Sequence, residues 1–443
     1  MTATDAPSAD PVPAATPPTT RTSPPTTDSA PAAQTPPAPT APPATHTPTT
    51  ATAPIAATTP PSAHAPTGAN TSPEAPPAGT PAAADALAAA YRHGPGRAIT
   101  SVPQPNPTPP PPGPRVALTG LARFGRFGAA LAHLLTDVAT PQRWEPWNPY
   151  NDHRAYPSAR SAFAVDVTLV VDGRSWPLDP ARRALVGGAP ERLGTCARLD
   201  LVRRPERFSA GYGDFADVLV ELELGHLLAA LADHAARLGL RAHLAGEGVV
   251  VCSDHETGAR VRPPVRSSGM GPRGVAADPR PLPASAFHAV VAAVPRLPHL
   301  RHRLGVHNVE GVPNGWYDPD RLVTAGPVVA RLRDAFRHPP EVVDIGSANL
   351  ALVITGDPAA AIADTGPDGY RALLRAAGSA AQRVCATAAE AGLFCRPLRS
   401  LHDEELEALV RAPAGHSVLY LLVAGRPRAT GFTYDLSPLE ELP

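Results

Sequence analysis

Two long helical segments that stop in the same way set the terms for any fold of this chain. One is ELGHLLAALADHAARLGLRAHL, Glu223 to Leu244, and the other is AAGSAAQRVCATAAEAGLFCRPL, Ala376 to Leu398. In each, an early glycine (Gly225, Gly378) precedes a terminal glycine (Gly239, Gly392) by the same 14 positions. Leu238-Gly239-Leu240 answers Ala391-Gly392-Leu393, a helix stop made by a left-handed glycine. Small residues line both helices: Gly225, Ala229, Ala230 and Ala232 in one, Gly378, Ala380, Ala381 and Ala388 in the other. Small side chains let backbones approach closely. The matched spacing therefore predicts a shared packing role beyond helix propensity.

The segments around these helices repeat as well. FAVDVTLVVDGRSWPLDP (Phe163–Pro180) and RLGVHNVEGVPNGWYDP (Arg303–Pro319) each run from β-rich residues through a Gly turn to Trp and Asp-Pro, the pattern of a hairpin. GVVVCSD (Gly248–Asp254) and SVLYLLVAGRPR (Ser417–Arg428) close the two copies with apolar strands. The expected fold is α+β, with a first unit over residues 115–262 and a second over 263–443. Before them lies a tail, residues 1–114, made almost wholly of Pro, Ala, Thr and Ser. It has too few large apolar side chains to offset the entropy of ordering, so it reads as disordered, with a polyproline bias. About 325 residues remain after it, enough for a substantial core.

Charge and cysteine usage exclude several classes. The formal net charge of -1 argues against nucleic acid as the main partner. The first residues carry neither a basic nor an apolar signal region, and no apolar run reaches the length of a membrane span. Cys196, Cys252, Cys385 and Cys395 lack CxxC pairing and zinc-type spacing, so they read as reduced, mostly buried thiols of a cytoplasmic protein with no metal site. The chain contains no lysine. Every basic side chain is Arg or His, and no lysine can serve as a base.

Three arginine-bearing segments stand out. RPPVRSSGMGPRGVAADPRPLP (Arg262–Pro283) contains Gly269, Gly271 and Gly274 at dinucleotide-fingerprint spacing, but Pro263, Pro264 and Pro272 deny it the strand and helix that the fingerprint needs. Arg266, Ser267, Ser268 and Arg273 carry more information. A phosphate dianion takes forked guanidinium donors, hydroxyls and free N–H groups of a Gly-rich loop. RAYPSARSAF (Arg154–Phe163) precedes the first hairpin, and Gly425-Arg426-Pro427-Arg428 ends the last apolar strand.

Together these segments resemble the nitroreductase superfamily, in particular its tandem or SagB-like FMN dehydrogenases acting on ribosomally made peptides. RSSGMGPR resembles that family's phosphate-binding start, YPSARSAFAVDVTLVV its Pro-Ser loop over the flavin, and LVAGRPR its late return to the phosphate. NVEGVPNGWYDP and ELGHLLAALADHAARLGL resemble its hairpin and interface helix. The resemblance implies a nitroreductase-like fold in two degenerate copies forming an intramolecular pseudo-dimer. The first unit keeps Pro157-Ser158 but has LTGLARFGRFG where a phosphate motif belongs. The second keeps the phosphate motif but has PRLPHLRHR in place of a Pro-Ser loop. The losses are complementary, so a single FMN is expected between Pro157 and Ser158 on one side and Arg266, Ser267, Ser268, Arg273, Gly425, Arg426 and Arg428 on the other.

In the family's azoline dehydrogenases a Lys-Tyr pair commonly handles the proton. Here FSAGYGDFADVLVELELGH puts Gly211 in the lysine place and keeps Tyr212, with His226 in the interface helix as a possible aid. Tyr212 is a poor base unless a neighbouring Arg or His lowers its pKa. Three functions stay open at this point. They are FMN-dependent dehydrogenation of azoline rings in a modified peptide, NAD(P)H-driven nitro or quinone reduction, and a flavin-poor scaffold or peptide-binding subunit of a peptide-modifying complex.

Overall fold

The computed structural model describes residues 112–436, except 146–147, 149, 255–263, 272–273, 319 and 429–432. The disordered tail expected over residues 1–114 therefore lies outside the described residues as far as position 111. Within the described residues, Pro114 O accepts a hydrogen bond from Gly187 N at 2.9 Å.

The chain runs through β1 (Arg115–Ala117), α1 (Gly125–Ala139), β2 (Arg143–Trp144), β3 (Val165–Val171), β4 (Arg174–Asp179), β5 (Ala184–Val186) and β6 (Cys196–Arg203). Next come α2 (Glu206–Tyr212), α3 (Phe215–Arg237), β7 (Leu240–Ala245) and β8 (Gly248–Ser253). It continues with β9 (Met270–Gly271), β10 (Gly274–Val275), α4 (Ala284–Ala293), β11 (Leu300–Val306), β12 (Gly315–Asp318), β13 (Arg321–Ala325) and β14 (Leu350–Gly356). The last elements are α5 (Pro358–Thr365), α6 (Gly369–Glu390), β15 (Phe394–Leu398), α7 (Asp403–Val410), β16 (Ser417–Gly425) and β17 (Tyr434–Asp435).

Among the described residues the two large sheets are antiparallel and ordered β1-β5-β4-β3-β6-β8-β7 and β13-β12-β11-β14-β16-β15. Without β1 the two orders coincide strand for strand. The β3–β4 turn is Asp172-Gly173, both left-handed (φ 50° and 74°), with Val171 opposite Arg174. That is the primed two-residue turn that Asp-Gly favours, because its twist matches the strands. In the second sheet β14 is buried along its whole length. Leu350, Leu352 and Ile354 face the core containing α6, while Ala351 and Val353 face a further apolar layer that includes Leu406 and Val410 of α7.

The two long helices start earlier than the sequence segments suggested and stop where the glycines predicted. α3 begins at Phe215, before Glu223, and α6 begins at Gly369. Gly239 (φ 67°) and Gly392 (φ 69°) stop the helices, and the residues after them are strands β7 and β15. α3 is buried on nearly all sides because it lies against α6 as well as its own sheet. The contact is made at the two early glycines. A Cβ on Gly225 would fall 2.1 Å from Arg375 O, and one on Gly378 would fall 2.1 Å from Leu222 O. No other residue allows that approach.

The cysteine expectation is corrected. Cys196 and Cys252 are partners across β6 and β8 and form a disulfide, while Cys385 and Cys395 are free, buried and 3.5 Å apart. Only strand pairing brings Cys196 and Cys252 together across 56 positions. The disulfide removes the cysteine argument for a reducing compartment. Among the described residues no helix is long and apolar enough to cross a membrane. Met270–Gly271 and Gly274–Val275 form the short β9–β10 pair and open no helix, so the dinucleotide spacing is a formal match only.

Candidate functional site

The Pro157–Phe163 loop is held in an unfavourable shape. Arg160, Ser161 and Phe163 all have positive φ (53°, 52° and 44°), a conformation that costs on the order of 1 kcal/mol or more per residue and persists only where surroundings impose it. Here they do. Phe163 N donates to Ser158 Oγ at 2.8 Å, Ser158 Oγ donates to Glu223 Oε2 at 2.5 Å, and Val165 N donates to Glu223 Oε1 at 3.0 Å. The Arg154 guanidinium lies 3.9 Å from the Phe163 ring centre.

Glu223 is thus the anchor of the loop. Its burial pushes the carboxyl up to about 7 against the pull of Ser158, Arg154, the Val165 N–H and Arg207. A carboxyl at that value is shared between its two protonation states near neutrality, as a proton-transfer group should be. Sequence reasoning passed over it. The available signal was a pair of acidic residues, Glu221 and Glu223, inside the mostly apolar helical run VLVELELGHLL.

The Arg266 segment lies at the edge of the second sheet. Ser267 bridges Phe394 in parallel, and Cys395 N donates to Ser267 O at 2.9 Å. Gly269 (φ 75°) lies flat on the Phe394 ring, where a Cβ would come within 2.6 Å of it. Arg266 O accepts from Arg143 Nη1 at 2.6 Å, so an arginine 123 positions earlier in the chain reaches this segment. Arg266 Nε and Nη1 and Arg396 Nε are buried without a hydrogen-bond partner. Burial, and then the charge of Arg266, holds Arg396 down at about 10, and burial lowers Arg143 as well.

The carboxylate beside this cluster is Glu145. Burial pushes it up, but the His153 hydrogen bond and the Arg143 charge outweigh that and hold it at about 2. Arg266 and Arg396, with orphaned donors, stand beside an Arg143 that is spent on Glu145 and Arg266 O, and the donor chemistry of that pair fits an anion. Arg143 and Arg396 carry no motif, which is why the sequence did not reveal them.

A buried hydrogen-bonded network ties α3 to α6, β16 and the Ala155 carbonyl. His226 Nδ1 lies 3.0 Å from Gln382 Oε1, His226 Nε2 lies 3.2 Å from Tyr420 OH, and Gln382 Nε2 donates to Ala155 O at 3.0 Å. Tyr420, whose burial raises its phenol, feels Arg266 (which lowers it) and Glu223 (which raises it).

The remaining candidates are placed unevenly. Ser267 and Ser268 accompany Arg266, and Gly425 stands across Phe394 from Ser267. Arg426 donates its guanidinium to Pro281 O at 3.3 Å, and Arg428 is exposed. Arg273 lies outside the described residues. Tyr212 stacks edge-on against Phe208 with Arg160 5.3 Å from its ring, and burial raises its phenol despite that arginine. His226 is fully buried, and burial holds it down to about 3, so it stays neutral and serves the link between α3 and α6.

No protein-family model matches the chain, and no curated protein matches it. Solved structures do. A protein of Anabaena variabilis assigned to the nitroreductases superposes with a TM-score of 0.60 at 16% identity, covering 74% of this chain and 96% of that one. So large a share requires both sheets. An FMN-dependent nitroreductase of Clostridium difficile (TM-score 0.27, 14% identity, 40% and 90% covered) and the Escherichia coli microcin synthetase McbBCD complex (0.31, 17%, 35% and 68%) overlap too little of the chain to add to this. The sheet order, the crossed helices and that superposition agree: this chain has the nitroreductase fold.

Proposed function

We propose that residues 115–262 and 263–443 are two degenerate nitroreductase-like copies forming an intramolecular pseudo-dimer, and that the chain is an FMN-dependent oxidoreductase. The observation that carries this reading is the pair of buried guanidinium groups, Arg266 and Arg396, of which Arg266 Nε and Nη1 and Arg396 Nε have no hydrogen-bond partner among the described residues. A phosphate dianion fits them: Arg266, Arg396 and the Ser267 hydroxyl would hold the FMN phosphate, and the Pro157–Phe163 loop would cover the ring. Bound FMN supplies a hydride acceptor.

The chain's own part is to take the proton. Ser158 Oγ already donates to Glu223, so it can accept a substrate proton as it passes its own to the carboxylate. That dyad stands in for the absent lysine. The substrate class we propose is an azoline-bearing peptide of ribosomal origin, whose ring is oxidised by loss of a proton and a hydride.

The decisive experiment releases and quantifies the cofactor of the purified full chain. One FMN per chain, lost in Arg266→Ala, is expected. Two per chain would refute the single site, and none would leave a scaffold role. Steady NADPH-driven reduction of a nitroaromatic without azoline oxidation would move the assignment to a general reductase.

A further inference from the structure

The two copies are not equivalent around their crossed helices. Gly225 and Gly378, like Gly239 and Gly392, are 153 positions apart, and this offset carries α3 and β7 onto α6 and β15. Strand pairing extends it: Arg241 faces Cys252 and Phe394 faces Gly425, so Glu247 of the β7–β8 turn corresponds to Tyr420. On one side of the crossing, His226, Gln382 and Tyr420 fill the space with the network described above. Their equivalents on the other side are Ser379, Ala229 and Glu247. There the space is open: a cleft of about 440 Å³ is lined by all three, together with Ala376, the counterpart of Glu223.

The cleft has a definite chemistry. Leu224, Leu228, Leu244 and Val249 form its apolar part, and Leu244 is 67% exposed. Along the facing side of α6, Arg375, Ser379 and Arg383 follow one another at helical spacing of four. Arg375 spends its Nε on Glu221 at 2.5 Å, which leaves its terminal fork without a partner among the described residues. Arg383 is exposed and makes no ion pair among them. The acids in the lining are on the other wall. Glu247 is taken by Arg203, and Asp233 is raised by burial, with Arg383 the foremost charge opposing that rise. The Arg375 fork and the Arg383 guanidinium stand about 12 Å apart along the helix, the span of about four residues of extended peptide.

We propose that this cleft binds an extended peptide segment whose apolar side chains enter it and whose acidic side chains, about four residues apart, meet Arg375 and Arg383. It rests on the peptide-substrate part of the function proposed above and not on the flavin part. The place vacated by the second cofactor site would then hold the substrate's recognition segment.

The probe is a fluorescein-labelled pentapeptide, Glu-Leu-Ala-Leu-Glu, followed by anisotropy on the full chain, with its Gln-for-Glu analogue as control. Saturable binding that weakens with salt is expected. Ala376→Trp should abolish it, Arg383→Glu should weaken it at least about fivefold, and the analogue should bind correspondingly less well. FMN content is measured on the same samples, so that loss of the cleft is read separately from loss of the flavin site. Arg383 is exposed and unpaired, so Arg383→Glu folds even if Ala376→Trp does not. Absence of saturable binding, equal binding of the analogue, or binding unchanged by Arg383→Glu would overturn the proposal.

Discussion

Replacing Gly378 by alanine tests the helix crossing on which both sites depend. An ideal Cβ there lies 2.1 Å from Leu222 O, 2.9 Å from its carbonyl carbon and 3.1 Å from its Cα. A carbon against a carbonyl oxygen needs about 3.3 Å, so the helices must part by roughly 1 Å, and backbone cannot rotate out of the way. A gap of that size forfeits a quarter to a half of the dispersion energy of each contact along the crossing. Overpacking of this kind costs about 1–3 kcal/mol or more, while the gain in helix propensity returns at most about 1 kcal/mol. We expect a net loss of about 2 kcal/mol, read as a lower urea midpoint by circular dichroism with the slope unchanged. Gly225→Ala meets Arg375 O at the same 2.1 Å and should cost a similar amount. The double variant should lose less than the sum, because the first substitution already opens the gap that the second needs. Gly120→Ala, whose Cβ would meet only Val116 Cγ1 at 3.4 Å, is the neutral control. A Gly378→Ala protein as stable as the parent, or a fully additive double variant, would refute the close crossing.

Other outcomes follow from the buried charges and the disulfide. Because folded Glu223 titrates at about 7, the folded chain keeps a proton that the unfolded chain loses at the usual carboxylate value. Stability is therefore whole below about pH 4.5 and falls by up to about 3 kcal/mol as pH rises through 7; Glu223→Gln should abolish that fall between urea midpoints taken at about pH 5 and about pH 8. Glu145 is the opposite case. Its stabilisation is present above the unfolded carboxylate value and lost as pH falls toward about 2, and Glu145→Ala, which leaves Arg143 buried with its charge unpaired, should cost about 3 kcal/mol by the same unfolding assay. Substituting His226 by asparagine should leave the pH dependence of turnover unmoved between about pH 5 and 8, since a histidine held near 3 does not titrate there. Dithiothreitol should lower the unfolding midpoint of the parent by about 2–4 kcal/mol equivalent and leave the Cys196→Ser/Cys252→Ser protein unaffected.

The matching helix stops and hairpins were legible in the sequence because their marks are local. A left-handed glycine ends a helix wherever it occurs, and Asp-Gly closes a hairpin through its own two residues. Arg266 and Ser158 were legible for a similar reason, as each sits in a short string with recognisable donors. Arg143, Glu145 and Arg396 were not. Each is an ordinary charged residue in its own segment, and their shared character appears only when three separate segments meet in a place without water. Glu223 reads in the sequence as one more helical carboxylate, and only its enclosure behind the Pro157–Phe163 loop raises its pKa.

What the sequence by itself determined is the paired helices, their glycine stops and the strands around them, because backbone conformational limits act within a few residues. The tertiary structure alone decided which faces of those helices touch. It set Gly225 against the backbone of α6, joined Cys196 to Cys252, filled one side of the crossing with a histidine network and left the other open. Those outcomes depend on contacts between residues far apart in the chain, where burial and the loss of water, rather than local propensity, set the energies.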